Sequence, residues 1–179
     1  MPNPRSPYAA AKLGAEAYCQ AYWFSHDLPT VALRYFNVYG PRQDPDGPYA
    51  AVIPRFVLAA MDGGTLSING DGSYSRDFTF VTDAVAANVL AAKAGAEACG
   101  QVMNIGAGGR TTIQELAETI IRAVGHPEAT IAHGPVREGD VAHSHASIDK
   151  AQRLLGYVPK VAIAEGLAQT VRWFGEQNA

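Results

Sequence analysis

Tyr8 and Lys12 stand four positions apart near the start of the chain, in the run Ser6-Pro7-Tyr8-Ala9-Ala10-Ala11-Lys12. On a helix that spacing places both side chains on one face, one above the other. An ammonium beside a phenol lowers a pKa whose ordinary value is about 10, and a tyrosine so tuned exchanges a proton with a hydroxyl near neutral pH. The same spacing also occurs in ordinary helices, where an aromatic ring packs beside a solvated lysine. Chemistry at this pair therefore depends on what the rest of the chain supplies.

Two arginines are candidates for anion binding. Arg76 opens the apolar run Arg76–Val81 (RDFTFV), and Arg137 lies in the turn Arg137-Glu138-Gly139-Asp140. A guanidinium fork matches a phosphate or diphosphate, and two surface ion pairs are the equal alternative. Gly106-Ala107-Gly108-Gly109 has the place of a dinucleotide-binding turn, but the G-x-G-x-x-G pattern needs glycine where Thr111 stands. It reads as a strand-to-helix connection. His133, His143 and His145 lack the cysteine companions and helical spacing of a zinc site, so no metal is expected. Asp44, Asp46 and Asp71 stand in Gly/Pro loops and read as turn formers.

The elements that must position these residues follow a helix–strand rhythm. Pro2, Pro4 and Pro7 keep the first residues extended, and Ser6-Pro7 predicts the N-cap and first position of a helix to about Phe24. Thr30–Phe36 predicts a buried strand, and Gly40–Gly47 a loop. A helix over Ala51–Met61 precedes a short strand at Leu66–Ile68 and an alternating strand at Arg76–Val81. Thr82-Asp83 is expected to cap a helix to about Ala98, followed by a buried strand at Gln101–Ile105. Thr112-x-x-Glu115 is a capping box opening a helix to about Val124. A strand at Ala129–Ala132 and helices at Asp149–Leu155 and Ile163–Phe174 complete an α/β pattern of the parallel-sheet kind.

A length of 179 residues suits one domain, or one with a small second lobe. A net charge of −3 argues against nucleic acid or an anionic membrane as partner. Cys19 and Cys99 have no metal or redox spacing, no apolar run reaches the ~20 residues of a membrane span, and Met1–Arg5 lacks the apolar core of a secretory leader. The expected location is the cytoplasm.

Taken together, several local sequences resemble the extended short-chain dehydrogenase/reductase family of nucleotide-sugar epimerases. They are Ser6–Lys12, Leu33–Gln43 (LRYFNVYGPRQ), Ile68–Gly72 (INGDG), Ser75–Phe78 (SRDF), Asn104–Gly106 (NIG) and Arg137–Asp140 (REGD). The resemblance covers essentially the whole chain, is nearest in character to the UDP-glucose and UDP-N-acetylglucosamine 4-epimerases, and corresponds to their C-terminal part. It implies part of a Rossmann-type fold, over 1–40 and 83–125, with a substrate lobe over about 41–82 and 126–179.

The resemblance further implies roles. Tyr8 would be the acid/base, and Lys12 would hold the nicotinamide ribose of NAD and lower the phenol's pKa. Tyr35 would lie near the nicotinamide. NAD would take hydride from C4 of a UDP-sugar and return it to the other face of the turned 4-keto sugar. Asn37 would hydrogen-bond the diphosphate, Arg76 and Arg137 would clamp it, and Asp140 would hold the nucleotide ribose. Leu66, Ser67 and Asn69 would line the uracil, with Gln43 and Ser144 at the sugar end. The family's glycine-rich phosphate loop would precede Tyr8. The chain alone is therefore expected neither to hold NAD tightly nor to turn over. Thr30–Phe36 is expected to keep an unpaired edge, favouring a homo-oligomer or a complementing N-terminal half. The alternatives are a non-catalytic nucleotide-sugar-binding or assembly module, and a dehydratase or decarboxylase of the same superfamily.

Overall fold

The computed structural model describes residues 3–4, 6–46, 51–137 and 139–177. Helix α1 (Pro7–His26) begins as its sequence dictates: Ser6 Oγ accepts the Ala9 amide and Pro7 takes the first turn. It ends at Asp27, which adopts the left-handed conformation. Its tie to the body is polar as much as apolar. Thr30 Oγ1 donates to Cys19 O, and Glu16 pairs with Arg34 of β1 (Val31–Tyr35). No described residue of α1 is buried, and Tyr18 and Phe24 are among its exposed aromatics.

β1 pairs in parallel with β6 (Gln101–Ile105), its one neighbour among the described residues. The expected buried strand is thus a half-buried edge strand, because burial on both faces and edges needs neighbours on both sides. The other strands form short pairs. β2 (Val38–Tyr39) runs parallel to β5 (Thr79–Phe80), and β3 (Thr65–Asn69) runs parallel to β8 (Thr130–Gly134). β4 (Ser75–Arg76) lies between antiparallel β7 (Thr111–Thr112) and parallel β9 (His143–Ser144).

The expected strand Arg76–Val81 is broken. Asp77 and Phe78 leave the ladder between β4 and β5, and Val81 already begins α3 (Val81–Ala92). Alternation alone could not reveal that Asp77 is bound elsewhere. The cap expected at Thr82-Asp83 is also absent: Phe80 is the N-cap, without a side-chain bond. Asp83 instead turns inward, where its carboxylate accepts the amides of Lys160 (3.0 Å) and Val161 (3.2 Å). The helix stops at Ala92, short of the expected Ala98, and a separate 3₁₀ turn covers Ala96–Ala98.

Two cores result. In one, α2 (Val52–Met61), α4 (Ile113–Val124) and α6 (Ile163–Gln177) close over Leu66 and Ile68 of β3, with Tyr39, Phe78 and Phe80. In the other, Met103 and Ile105 of β6 pack against Ala87 of α3, α5 (Asp149–Leu155) and Tyr157. α4, within 83–125, packs with α2 and α6, and α5, within 126–179, packs on β6. The apolar stripe of a helix says that it is covered, not by what.

The capping box of α4 is formed as read: Thr112 Oγ1 accepts Glu115 N at 3.1 Å and Glu115 Oε2 accepts Thr112 N at 2.8 Å. Thr112→Ala is expected to lower the unfolding free energy by about 1 kcal/mol, measured by urea titration at neutral pH. The bond to the Thr112 amide also holds the Glu115 carboxyl below its ordinary range. Its contribution is present above that range and fades as pH falls through the lowered value, muted by solvent exposure.

Candidate functional site

A cavity of about 410 Å³ opens beside the core of α2, α4 and α6 and gathers residues from six separated stretches of sequence. Asn37 comes from the turn between β1 and β2. It holds a left-handed backbone (φ 35°), which asparagine tolerates better than most residues, and its Nδ2 donates to Asp77 O at 2.9 Å. Strand β3 supplies Ser67 and Asn69 by its period of two, the same period that sends Leu66 and Ile68 into the core. Arg76 comes from β4, where its Nη1 donates to Ser75 O (2.9 Å) and Ala142 O (3.2 Å), fixing the direction of the fork. Arg137 and Asp140 follow β8 in a turn closed by Asp140 N on Arg137 O.

The cavity also holds features that sequence reading missed. Tyr74, one residue before β4, and Arg55 of α2 line it. So do Ala51, Val52 and Ile53 at the start of α2, whose N-cap Ala51 gives no side-chain bond. The first-turn amides of a helix without such a cap favour an anion. No residue at an alanine N-cap advertises this, and an aliphatic run such as Val52-Ile53 gives no polar signal. Among the described lining residues, Arg55, Arg76 and Arg137 face the single carboxylate of Asp140. A chain of net charge −3 therefore concentrates cationic groups at one concavity, as an anionic ligand requires. Ile53, Phe56 and Phe78 form its apolar floor.

Other sequence candidates lie elsewhere. Leu66 is fully buried in the core, so its side chain is not part of the cavity wall. Gln43 Nε2 donates to Val38 O at 3.1 Å, while its Oε1 is buried with no partner among the described residues. Ser144 pairs in register with Arg76 on β9 but does not line the cavity. Tyr35 faces a different groove, beside Leu33 and Ala91, and its hydroxyl donates to Asn88 Oδ1 at 2.9 Å. Tyr8 and Lys12 share one face of α1, with the ammonium 5.4 Å from the ring centroid, outside the cavity. Glu138, Gly47, Met1, Pro2 and Arg5, all named from the sequence, lie outside the described residues.

The loop Gly106–Gly109 answers the dinucleotide question by its bonds. Ala107 N (2.8 Å) and Gly108 N (3.1 Å) both donate to the carboxylate of Asp77. Amides already held by an internal carboxylate do not cradle a pyrophosphate. The α4 N-terminus is likewise closed by its own capping box. Tyr8 and Lys12, expected from the sequence at the nicotinamide–ribose end of NAD, stand side by side on α1, and neither Gly106–Gly109 nor the α4 N-terminus has its amides free for a cofactor diphosphate. Among the described residues, no helix is long and apolar enough to cross a membrane, and no group of His, Cys, Asp or Glu is arranged to hold a metal.

The parallel α/β layer joined to an arginine-lined cavity defines a partial Rossmann-like chain of the extended short-chain dehydrogenase/reductase type. Residues 1–106 match the NAD dependent epimerase/dehydratase family, and the chain belongs to that family. It is 44% identical over 98% of its length to the UDP-glucose 4-epimerase of Mycolicibacterium smegmatis, covering 55% of that protein. It is 36% identical over 96% of its length to the UDP-N-acetyl-alpha-D-glucosaminuronate decarboxylase of Bacillus cytotoxicus, covering 54% of it. Among solved structures, the UDP-glucose 4-epimerase of Thermotoga maritima with UDP-glucose superposes with a TM-score of 0.92 at 39% identity, over 100% of this chain and 56% of that one. Solved homologues include complexes with NAD. The chain spans about half the length of the curated relatives it matches.

Proposed function

We propose that this chain carries the nucleotide-sugar site of a UDP-sugar 4-epimerase. The observation that carries the reading is the convergence of Asn37, Arg76, Arg137 and Asp140, from three distant segments, on one cavity with an apolar floor. Arg76 and Arg137 bind the diphosphate, Asn37 offers it a further amide group, and Asp140 accepts from the ribose. Ser67 and Asn69 serve the base, Gln43 and Ser144 stand toward the sugar end, and Tyr35, in its separate groove, lies near the nicotinamide when NAD is supplied. Tyr8, with Lys12 on the same helix face, moves the proton of the sugar hydroxyl. NAD, where the cofactor half of the site is supplied, provides the hydride acceptor. The open edge of β1 and the exposed aromatics of α1 support association with a second copy or with a complementing half. The likeness to a decarboxylase and to a dTDP-glucose 4,6-dehydratase favours a second reading, the same nucleotide-sugar site serving a decarboxylation or a dehydration.

Calorimetric titration with UDP tests the proposal. The chain is expected to bind UDP without NAD, and Arg76→Ala or Arg137→Ala to weaken it roughly 10- to 100-fold, the worth of a charge-assisted hydrogen bond lost. Unchanged affinity in both variants places UDP somewhere else.

A further inference from the structure

We propose that Asp77 is a positioning residue that sets the geometry of the diphosphate end of the cavity without touching the ligand; the inference rests on the nucleotide-sugar reading above. Asp77 has no exposed surface and does not line the cavity, yet its bonds reach Asn37, the β4–β9 seam beside Arg76 and the loop that leaves β6. Its carbonyl accepts Nδ2 of Asn37 at 2.9 Å. Its amide donates to Ser144 O at 2.9 Å, which closes β4 onto β9 next to Arg76. Its carboxylate accepts the amides of Ala107 and Gly108, pinning this corner to the loop that leaves β6. Four bonds from one residue thus fix Asn37, Arg76 and the sheet seam relative to one another.

The chemistry explains why a buried carboxylate stands beside an anion site. A charge with no exposure is tolerated only when fully bonded, and two amides aimed at one carboxylate hold it rigidly. Its negative charge works against a diphosphate nearby. A purely electrostatic role would therefore make removal of that charge tighten binding, whereas a positioning role makes removal weaken it. The two accounts differ in sign.

Gly106 gives an independent handle. Its backbone is not in the left-handed region, so alanine is conformationally allowed there. A Cβ on Gly106 would press into Asp77 Oδ2 and lie 3.0 Å from Ala146 Cβ. Gly106→Ala therefore displaces the carboxylate while leaving its charge in place. In Asp77→Asn the charge is removed and one amide meets an NH2 instead of an acceptor.

The test is titration of the wild type, Asp77→Asn and Gly106→Ala with UDP and with uridine, followed by nuclear magnetic resonance, with thermal midpoints recorded beside them. Both variants are expected to lose about tenfold or more in UDP affinity and to keep uridine affinity within about twofold, since the base end is built on β3. UDP binding equal to or tighter than wild type in either folded variant overturns the positioning role and leaves the UDP site standing. Equal losses for uridine and UDP mean a general loosening and also overturn it. A folded wild type that does not bind UDP overturns the proposed function and this inference together. Either variant alone decides the question if the other fails to fold.

Discussion

Above about pH 10, this chain is expected to lose stability by about 2.7 kcal/mol per pH unit, the combined linkage of two buried tyrosines. Tyr39 is 2% exposed and Tyr157 fully buried. Burial is the main force raising both phenols above their ordinary value, with the nearby Asp83 carboxylate adding to each. The sign follows from proton counting. In the unfolded chain the phenols ionise near their ordinary pKa, while in the folded chain they keep their protons to higher pH. Unfolding therefore releases protons, so the tyrosines' contribution is complete below the ordinary value and is lost as pH rises through the raised one. Urea unfolding at intervals between about pH 9.5 and about pH 11.5 reads the slope directly. Tyr157→Phe is expected to halve it. That variant also forfeits the bond to Gly106 O, 2.9 Å long, at about 1 kcal/mol near neutrality. A slope untouched by Tyr157→Phe assigns the alkaline transition to other groups.

Asp83→Ala is expected to destabilise the chain by about 2–4 kcal/mol at neutral pH, more than any single cap or surface change. Asp83 is 3% exposed in the first turn of α3. Its two oxygens accept the amides of Lys160 and Val161 in the segment that joins α5 to α6. Alanine removes both bonds and takes a carboxylate from a helix N-terminus, where it is favoured. Lys160 is exposed, so water recovers part of its amide's loss, which sets the lower bound. Asp83→Asn keeps one acceptor and is expected to cost about half as much. It also withdraws one of the influences that hold Tyr39 and Tyr157 protonated, so the alkaline decline ends at a lower pH in that variant. An unfolding free energy for Asp83→Ala within about 0.5 kcal/mol of wild type means the α5–α6 segment is held by its apolar contacts alone.

What the sequence determined by itself was a set of features that depend only on neighbours in the chain. Ser6-Pro7 starts α1, Thr112 and Glu115 start α4, and the alternation of Leu66, Ser67, Ile68 and Asn69 sorts β3 into a core face and a cavity face. Arg76 and Arg137 were legible only as candidate anion ligands, since a guanidinium fork matches a phosphate as well as it serves a surface ion pair. Only the tertiary structure decided which of those ligands meet. Asn37, Ser67, Asn69, Arg76, Arg137 and Asp140 converge, while Leu66 points into the core and Tyr8, Lys12 and Tyr35 lie outside the cavity. It also decided where RDFTFV breaks. Period-two alternation predicts one strand, and it cannot register that Asp77 is drawn to Ala107 and Gly108, some thirty residues away. The same holds for Asp83, whose sequence position suits a helix cap and whose partners lie at Lys160 and Val161. Local pattern fixes which side chains share a face. A buried carboxylate goes to whichever distant amides replace its water, and that choice exists only once the chain has closed on itself.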